Sequence, residues 1–331
     1  MAWMVYMSLE IVVAVACCLG NVMVVWAVQM RRSLRQPTFC FVVSLAVADF
    51  LVGAVAVPLA VLVDGWVRTS FHTCLAVSCV VLVLTQASVL SLLAIAVDRY
   101  LRVRIPLRYK SMATQRRSWA AVALCWLVSC LLGFPPLFGW HNGSASANAP
   151  PPSATANSSV IECTFLAVIS LPYMVYFNYF GCILLPLLVM MLLYTLVFHN
   201  LHVRLQRESS SGEPGSKAFY KRERRLASSL ALVLVLFAVC WMPLHIMNCV
   251  LLFSHGPGAV SQGAFYAGIL LSHANSAVNP VVYALRIRKI REAYAEILRR
   301  YFLCHHKRQR RRDSDVWQGG LPGSDETGSR L

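Results

Sequence analysis

Seven times in 331 residues the chain runs for about twenty residues or more with few charged side chains. A stretch of that kind is read as a helix crossing a bilayer. Lipid offers no partner to a backbone N–H or C=O, and a helix satisfies both internally. The pattern predicts helices over 3–30, 37–63, 71–104, 115–138, 172–205, 218–253 and 262–286. The expected fold is an all-α membrane protein, a seven-transmembrane helix bundle. No internal repeat divides the spans into matching halves, which argues against a two-halved transporter.

Charge then orients the bundle. The chain carries 30 Lys and Arg against 14 Asp and Glu, a net charge of +16, which raises the question of nucleic acid. Position answers it. Only Arg68 falls in a connection assigned to the outside, and the other 29 lie at inner helix ends, inner connections and the tail. That asymmetry is the positive-inside pattern of a multi-pass plasma-membrane protein, with its N-terminus outside and C-terminus cytoplasmic. It excludes a nucleic-acid face. The first span, starting near Met4, is long enough to act as its own insertion signal, and no cleavable signal peptide is expected.

Most of the twelve cysteines lie singly in apolar spans, where a thiol behaves as a small hydrophobe. Cys74 and Cys163 lie at predicted outer ends, in an oxidising compartment, and are the disulfide candidates. Their bridge would pin the longest outer loop to the top of the third helix. That loop contains a small, polar, Pro-rich linker, Gly143–Ser159. Its sequons make Asn142 and Asn157 candidate glycosylation sites. Residues 287–302 mix apolar residues with Arg, Lys and Glu at helical spacing, predicting an amphipathic helix on inner-leaflet lipid. Cys304, just beyond, is a palmitoylation candidate. Residues 1–302 are thus read as the membrane domain and 303–331 as a disordered cytoplasmic tail.

Ionisable groups inside spans are costly and usually functional. Asp49 is one, and Asn21, Ser88, Asn275, Ser276 and Asn279 could face it from other helices. Carboxylate, hydroxyl and amide oxygens together suit an allosteric Na⁺, or else a water-mediated network that packs helices. Pro58, Pro186, Pro243 and Pro280 each remove a helix hydrogen bond and are expected to kink their spans. A second polar set lies nearer the outer end: Thr85, Gln86, Asn178, His245, Asn248, Ser272 and His273. Leu82, Phe165, Met174, Leu244 and Ile269 surround it with apolar surface, and Trp241 beside Pro243 could form a floor. An apolar slot with a few directed polar groups suits a small planar ligand. No histidine has companions at metal-ligand spacing, and no nucleophile–base pair is present, so neither a metal centre nor an enzyme is expected.

The ordered set Gly20-Asn21, Leu45–Asp49, Asp98-Arg99-Tyr100, Trp126, Pro186 with Tyr194, Cys240–Pro243 and Asn279–Tyr283 resembles the rhodopsin-like (class A) G-protein-coupled receptors over nearly all spans. The resemblance implies that Arg99 holds Asp98 and Glu223 in the resting state. On activation the sixth helix would swing outward, with Arg99, Tyr194 and Tyr283 rearranging for a G protein. Arrestin and receptor kinases are implied partners.

Within that class the stretches SLLAIAVDRYLRV, LRYK, FGW, YMVYFNYF, WMPLHIMNC and LLSHANSAVNPVVYA are similar to adenosine receptors. The resemblance implies extracellular adenosine as ligand. Phe165 would stack on adenine, and Asn248 would make paired hydrogen bonds to it. Thr85, Ser272 and His273 would hold the ribose, with His245, Met174, Leu244 and Ile269 at contact positions and Glu10 beside the helix-seven histidine. Many of these receptors carry Glu where this chain has Leu166, so His255 lacks a partner there. The resemblance leans to the third subtype, then the first, both acting through inhibitory G proteins that lower cyclic AMP.

Other ligand classes fit less well. A retinal Schiff base needs a lysine in the last span, which has none. A biogenic amine calls for a carboxylate in the outer third helix, where the chain reads VVLVLTQAS. The remaining alternative is a class A receptor for another small purine or a non-nucleoside.

Overall fold

The computed structural model describes residues 2–31, 34, 36–63, 68–142, 160–211, 214–254 and 260–303. Asn157, His255 and Cys304, with the whole Pro-rich linker and the tail beyond 303, lie outside the described residues. The helices in chain order are α1 (Ala2–Met30), α2 (Pro37–Leu51), α3 (Val57–Val63), α4 (Phe71–Arg104), α5 (Pro106–Met112) and α6 (Gln115–Gly133). They continue with α7 (Phe165–Val168), α8 (Leu185–Ser211), α9 (Pro214–Phe253), α10 (Gln262–Arg286) and α11 (Arg288–Ile297). α4 runs through the middle, packed against α2, α6 and α8, while α1 packs on α2 and α10, and α9 on α8 and α10.

Two of the four intramembrane prolines change the helix type. A π-helical stretch, Val52–Ala56, precedes Pro58, and a longer one, Tyr173–Leu184, precedes Pro186. A proline has no N–H and its ring crowds the carbonyl four residues back. In both cases that carbonyl lies inside the widened segment. Pro243 and Pro280 sit within uninterrupted α9 and α10.

The burial pattern is inverted relative to a water-soluble protein. Asp49, Glu10, Gln86, Arg99 and Asn279 are all at most 1% exposed, whereas Leu124, Leu131, Leu192 and Val239 are more than half exposed. A surface of that kind is stable against lipid, and its polar groups must find partners inside. Five helices among the described residues are long and apolar enough by themselves to cross a membrane: Trp3–Met30, Pro37–Ala60, Phe71–Arg104, Tyr173–Arg207 and Lys217–Phe253. α6 and α10 are not among them. α6 opens with Gln115, Arg116 and Arg117, and α10 places Ser272, His273, Asn275, Ser276 and Asn279 in its buried face.

Two features were not expected from the sequence. A short antiparallel ribbon joins β1 (Arg68–Ser70) to β2 (Val160–Glu162), with Arg68 opposite Glu162. Ser70 ends that ribbon and caps α4, its hydroxyl accepting the Thr73 N–H at 3.2 Å. At the basic end, the apolar face of α11 does not look to lipid. Ile290 is fully buried in the main core, and Ala293 and Ile297 are fully buried against Trp26, Ala27 and Met30 of α1. Arg31 and Glu296 bridge the same two helices at 2.6 Å. The apolar face of α11, Arg288–Ile297, is therefore covered by the protein itself.

Candidate functional site

A disulfide between Cys74 and Cys163 ties the loop before α7 to the first turn of α4. Below it a cleft, partly open to solvent, enters the bundle. Helical periodicity delivers its walls. Trp241, Leu244, His245 and Asn248 fall at i, i+3, i+4 and i+7 on one face of α9. Ile269, Ser272 and His273 do the same on α10, Leu82 and Thr85 on α4, and Met174 and Asn178 on the π-helical segment. Phe165 and Leu166 come from α7 at the mouth.

Two expected residues stand behind this wall rather than in it. Gln86 is fully buried and donates to the Asn178 carbonyl oxygen at 2.8 Å, orienting that amide. Glu10 is also fully buried and meets His273 Nδ1 at 2.9 Å, so it fixes the ring from the far side. Sequence reasoning missed Tyr6, Ala60, Val77, Ser78, Val81 and Phe265, which also line the cleft. Val77, Ser78 and Val81 lie within two turns of Leu82 and Thr85 on α4, and Phe265 one turn before Ile269. Periodicity could have found those four. Nothing local marks Tyr6 or Ala60, which arrive from other helices.

The polar groups of the cleft are partly committed. Thr85 and Ser272 donate to their own helices, at Val81 O (3.0 Å) and Ile269 O (2.7 Å), leaving hydroxyl lone pairs as acceptors. His245 is 1% exposed, stacked between Tyr179 and Trp241 at ring distances of 4.8 and 5.8 Å. Neither of its ring nitrogens has a hydrogen-bond partner among the described residues, nor does Trp241 Nε1. Buried polar atoms are ordinarily paired, so these are groups a polar ligand can satisfy.

Deeper in the bundle, Asp49 accepts from Asn279 Nδ2 (2.7 Å), Ser276 Oγ (2.9 Å) and Ser88 Oγ (3.4 Å). The other two residues expected around it do not bond to it. Asn21 donates to the backbone carbonyls of Cys17 and Ser276, linking α1 to α10. Asn275 is buried, and its Oδ1 has no hydrogen-bond partner among the described residues. Direct donors on α4 and α10 thus reach both carboxylate oxygens of Asp49. The same carboxylate and hydroxyls, with Asn279 Oδ1, which has no partner among the described residues, form the oxygen-rich set a hard cation takes.

At the basic end Arg99 is 1% exposed and compensated on two sides. Its Nη2 and Nε reach Asp98 Oδ2 at 2.6 and 3.2 Å, and its Nη1 reaches Glu223 Oε2 at 3.1 Å. Three residues not anticipated complete the cluster. Thr38 contacts Arg99 Nη2 and donates to Asp98 Oδ2, Tyr109 donates to Asp98 Oδ1 at 2.7 Å, and Arg102 meets Glu223 Oε1 at 3.1 Å. Burial first, and then the neighbouring Asp98 carboxylate, push the Tyr109 phenol up to about 12. Tyr100 turns elsewhere, packing against Val103, Val197 and Leu201. Tyr194 and Tyr283 are buried in the main core.

Comparison with known proteins follows the same lines. The model of the family "7 transmembrane receptor (rhodopsin family)" matches residues 20–283. The chain is 47% identical to the adenosine receptor A3 of Ovis aries over 299 residues, 90% of this chain and 91% of that one. It is 46% identical to the A3 receptor of Bos taurus over 304 residues, 92% of each chain. The A3 receptor of Canis lupus familiaris is 46% identical over 300 residues, 90% of this chain and 92% of that one.

Proposed function

We propose, from the premise that the chain belongs to the rhodopsin family of seven-transmembrane receptors, that it is a G-protein-coupled receptor for extracellular adenosine. It is a multi-pass membrane protein and a receptor, not an enzyme. The observation that carries the ligand is the convergence of Phe165, Asn248, Thr85, Ser272 and His273 on one cleft. In this reading Phe165 covers the purine face while the Asn248 amide donates to and accepts from one purine edge. Thr85, Ser272 and His273 meet the ribose hydroxyls, with His273 oriented by Glu10. Leu166 offers the exocyclic amine no charge.

The basic end faces the cytoplasm. There the Arg99 cluster holds α9 against α4, and its opening exposes a site for a G protein of the inhibitory class. Arrestin and receptor kinases use the same face, and lipid surrounds the rest. Na⁺ at Asp49 favours the closed arrangement. Displacement of a tritiated adenosine analogue by adenosine, inosine and xanthines, with cyclic AMP read in parallel, tests the proposal. Properly inserted chain that binds no purine would overturn it.

A further inference from the structure

Asn142 is written in the sequence as a glycan acceptor, yet its amide is used inside the protein. α7 is a four-residue helix, and the last carbonyls of a helix find no partner within it. One residue, far away in sequence, supplies partners for two of them and for the carbonyl of the cap residue Ile169. Asn142 Nδ2 donates to Leu166 O at 2.8 Å and to Ile169 O at 3.3 Å, and its backbone N–H donates to Val168 O at 3.0 Å. His141 pairs with Ile169 beside it, and its ring meets Phe71 at the start of α4 at 5.1 Å.

The other end of α7 is held separately. Cys163 is bonded to Cys74, and Thr164 Oγ1 accepts the Ala167 N–H at 3.2 Å. Between the two anchors stand Phe165 and Leu166, the residues α7 contributes to the cleft. We infer that Asn142 is a positioning residue for the mouth of the cleft, clamping the C-terminal end of α7 so that Phe165 and Leu166 face the ligand, and that it carries no glycan. A sugar on Nδ2 would replace one of the two hydrogens that now reach Leu166 and Ile169, so the two roles exclude each other. The ligand-positioning half of this inference rests on the reading of the cleft as a nucleoside site; the clamp itself does not.

The test uses membranes carrying the full chain. Asn142→Ala removes the two side-chain bonds of the clamp and the sequon together. Ser144→Ala removes the sequon and leaves the clamp. Asn157→Gln removes the other sequon. With a tritiated, deaminase-resistant adenosine analogue, Asn142→Ala should bind about tenfold more weakly, as expected when two hydrogen bonds no longer keep the loop in its competent form. Ser144→Ala should bind as the unaltered chain does. Glycosidase should leave the mobility of Asn157→Gln unchanged.

Unaltered affinity in Asn142→Ala, an equal loss in Ser144→Ala, or glycosidase-sensitive mass on Asn157→Gln would each overturn the inference. If Asn142→Ala does not reach the membrane, the Ser144→Ala and Asn157→Gln arms still decide the glycan half, and hydrogen exchange in the unaltered chain decides the clamp: a protected Asn142 amide supports its bond to Val168 O, and an unprotected one overturns it. If the unaltered chain binds no adenosine analogue, the ligand assignment fails by itself. Hydrogen exchange over residues 165–169 then decides the clamp, with faster exchange in Asn142→Ala supporting it and unchanged exchange overturning it.

Discussion

Replacing Glu223 by glutamine removes a negative charge from a buried site and keeps the side chain's shape. Glu223 is 5% exposed and accepts from two guanidinium groups, Arg99 and Arg102, each at 3.1 Å. A hydrogen bond to a charged partner contributes about 1.5–3 kcal/mol. Glutamine keeps one neutral acceptor, and the Arg102 side chain is 19% exposed, so water takes over part of that contact. Arg99 stays neutralised by Asp98, so no bare buried charge is left behind. The net loss from the closed arrangement is then about 1.5–3 kcal/mol, or roughly 10- to 150-fold in the closed-to-open ratio. Basal nucleotide exchange on a G protein, at matched surface expression, should rise accordingly. Arg102→Gln should give a smaller rise, since its partner contact is the more solvated one. Unchanged basal exchange in Glu223→Gln at equal expression would refute the idea that this pair restrains α9.

Three further outcomes are expected. Asn248→Ala should abolish specific adenosine binding while surface expression, read by antibody, is retained. Asp49→Asn should leave adenosine binding intact but remove its inhibition by NaCl, measured against choline chloride at equal ionic strength. Tyr109→Phe deletes the 2.7 Å bond to Asp98 and should lower the melting temperature in detergent by about 2–4 °C. The Tyr109 phenol lies above its ordinary value of 10, near 12, so the protonated form is the one folding favours. Its contribution is complete below pH 10 and lost as pH climbs through 12. The difference between Tyr109→Phe and the unaltered chain should therefore be flat across neutral pH.

Much of the cleft was legible because side chains on one helix face recur at fixed spacing. Once Trp241 and His245 were placed in α9, Leu244 and Asn248 followed on the same face. The Arg99 pairing with Asp98 and Glu223 was legible through family resemblance, but Thr38, Arg102 and Tyr109 were not. They sit on α2, on the last turn of α4 and on α5, and nothing in their local sequence says that they converge on Asp98 or Glu223. Asn21 and Asn275 show the opposite error. Both were correctly expected inside the bundle, yet rotation about the helix axis aims Asn21 at backbone carbonyls and keeps Asn275 off the carboxylate. α11 was legible as amphipathic, but its apolar face had two possible coverings, lipid or protein, and only packing against α1 chose between them.

The sequence by itself determined that this chain is a helical membrane bundle, since a long apolar run in lipid has few ways to satisfy its backbone. Through periodicity it also determined which side chains share a helix face. Tertiary structure alone decided which faces meet and which polar atom answers which. Asn142 is the sharpest instance: three residues of sequence mark it for a sugar, while the folded chain brings it to carbonyls 24 and 27 residues away. The reason is physical. Backbone satisfaction and side-chain period are local properties of a chain, whereas partnership between polar groups depends on distances that exist only after the helices have packed.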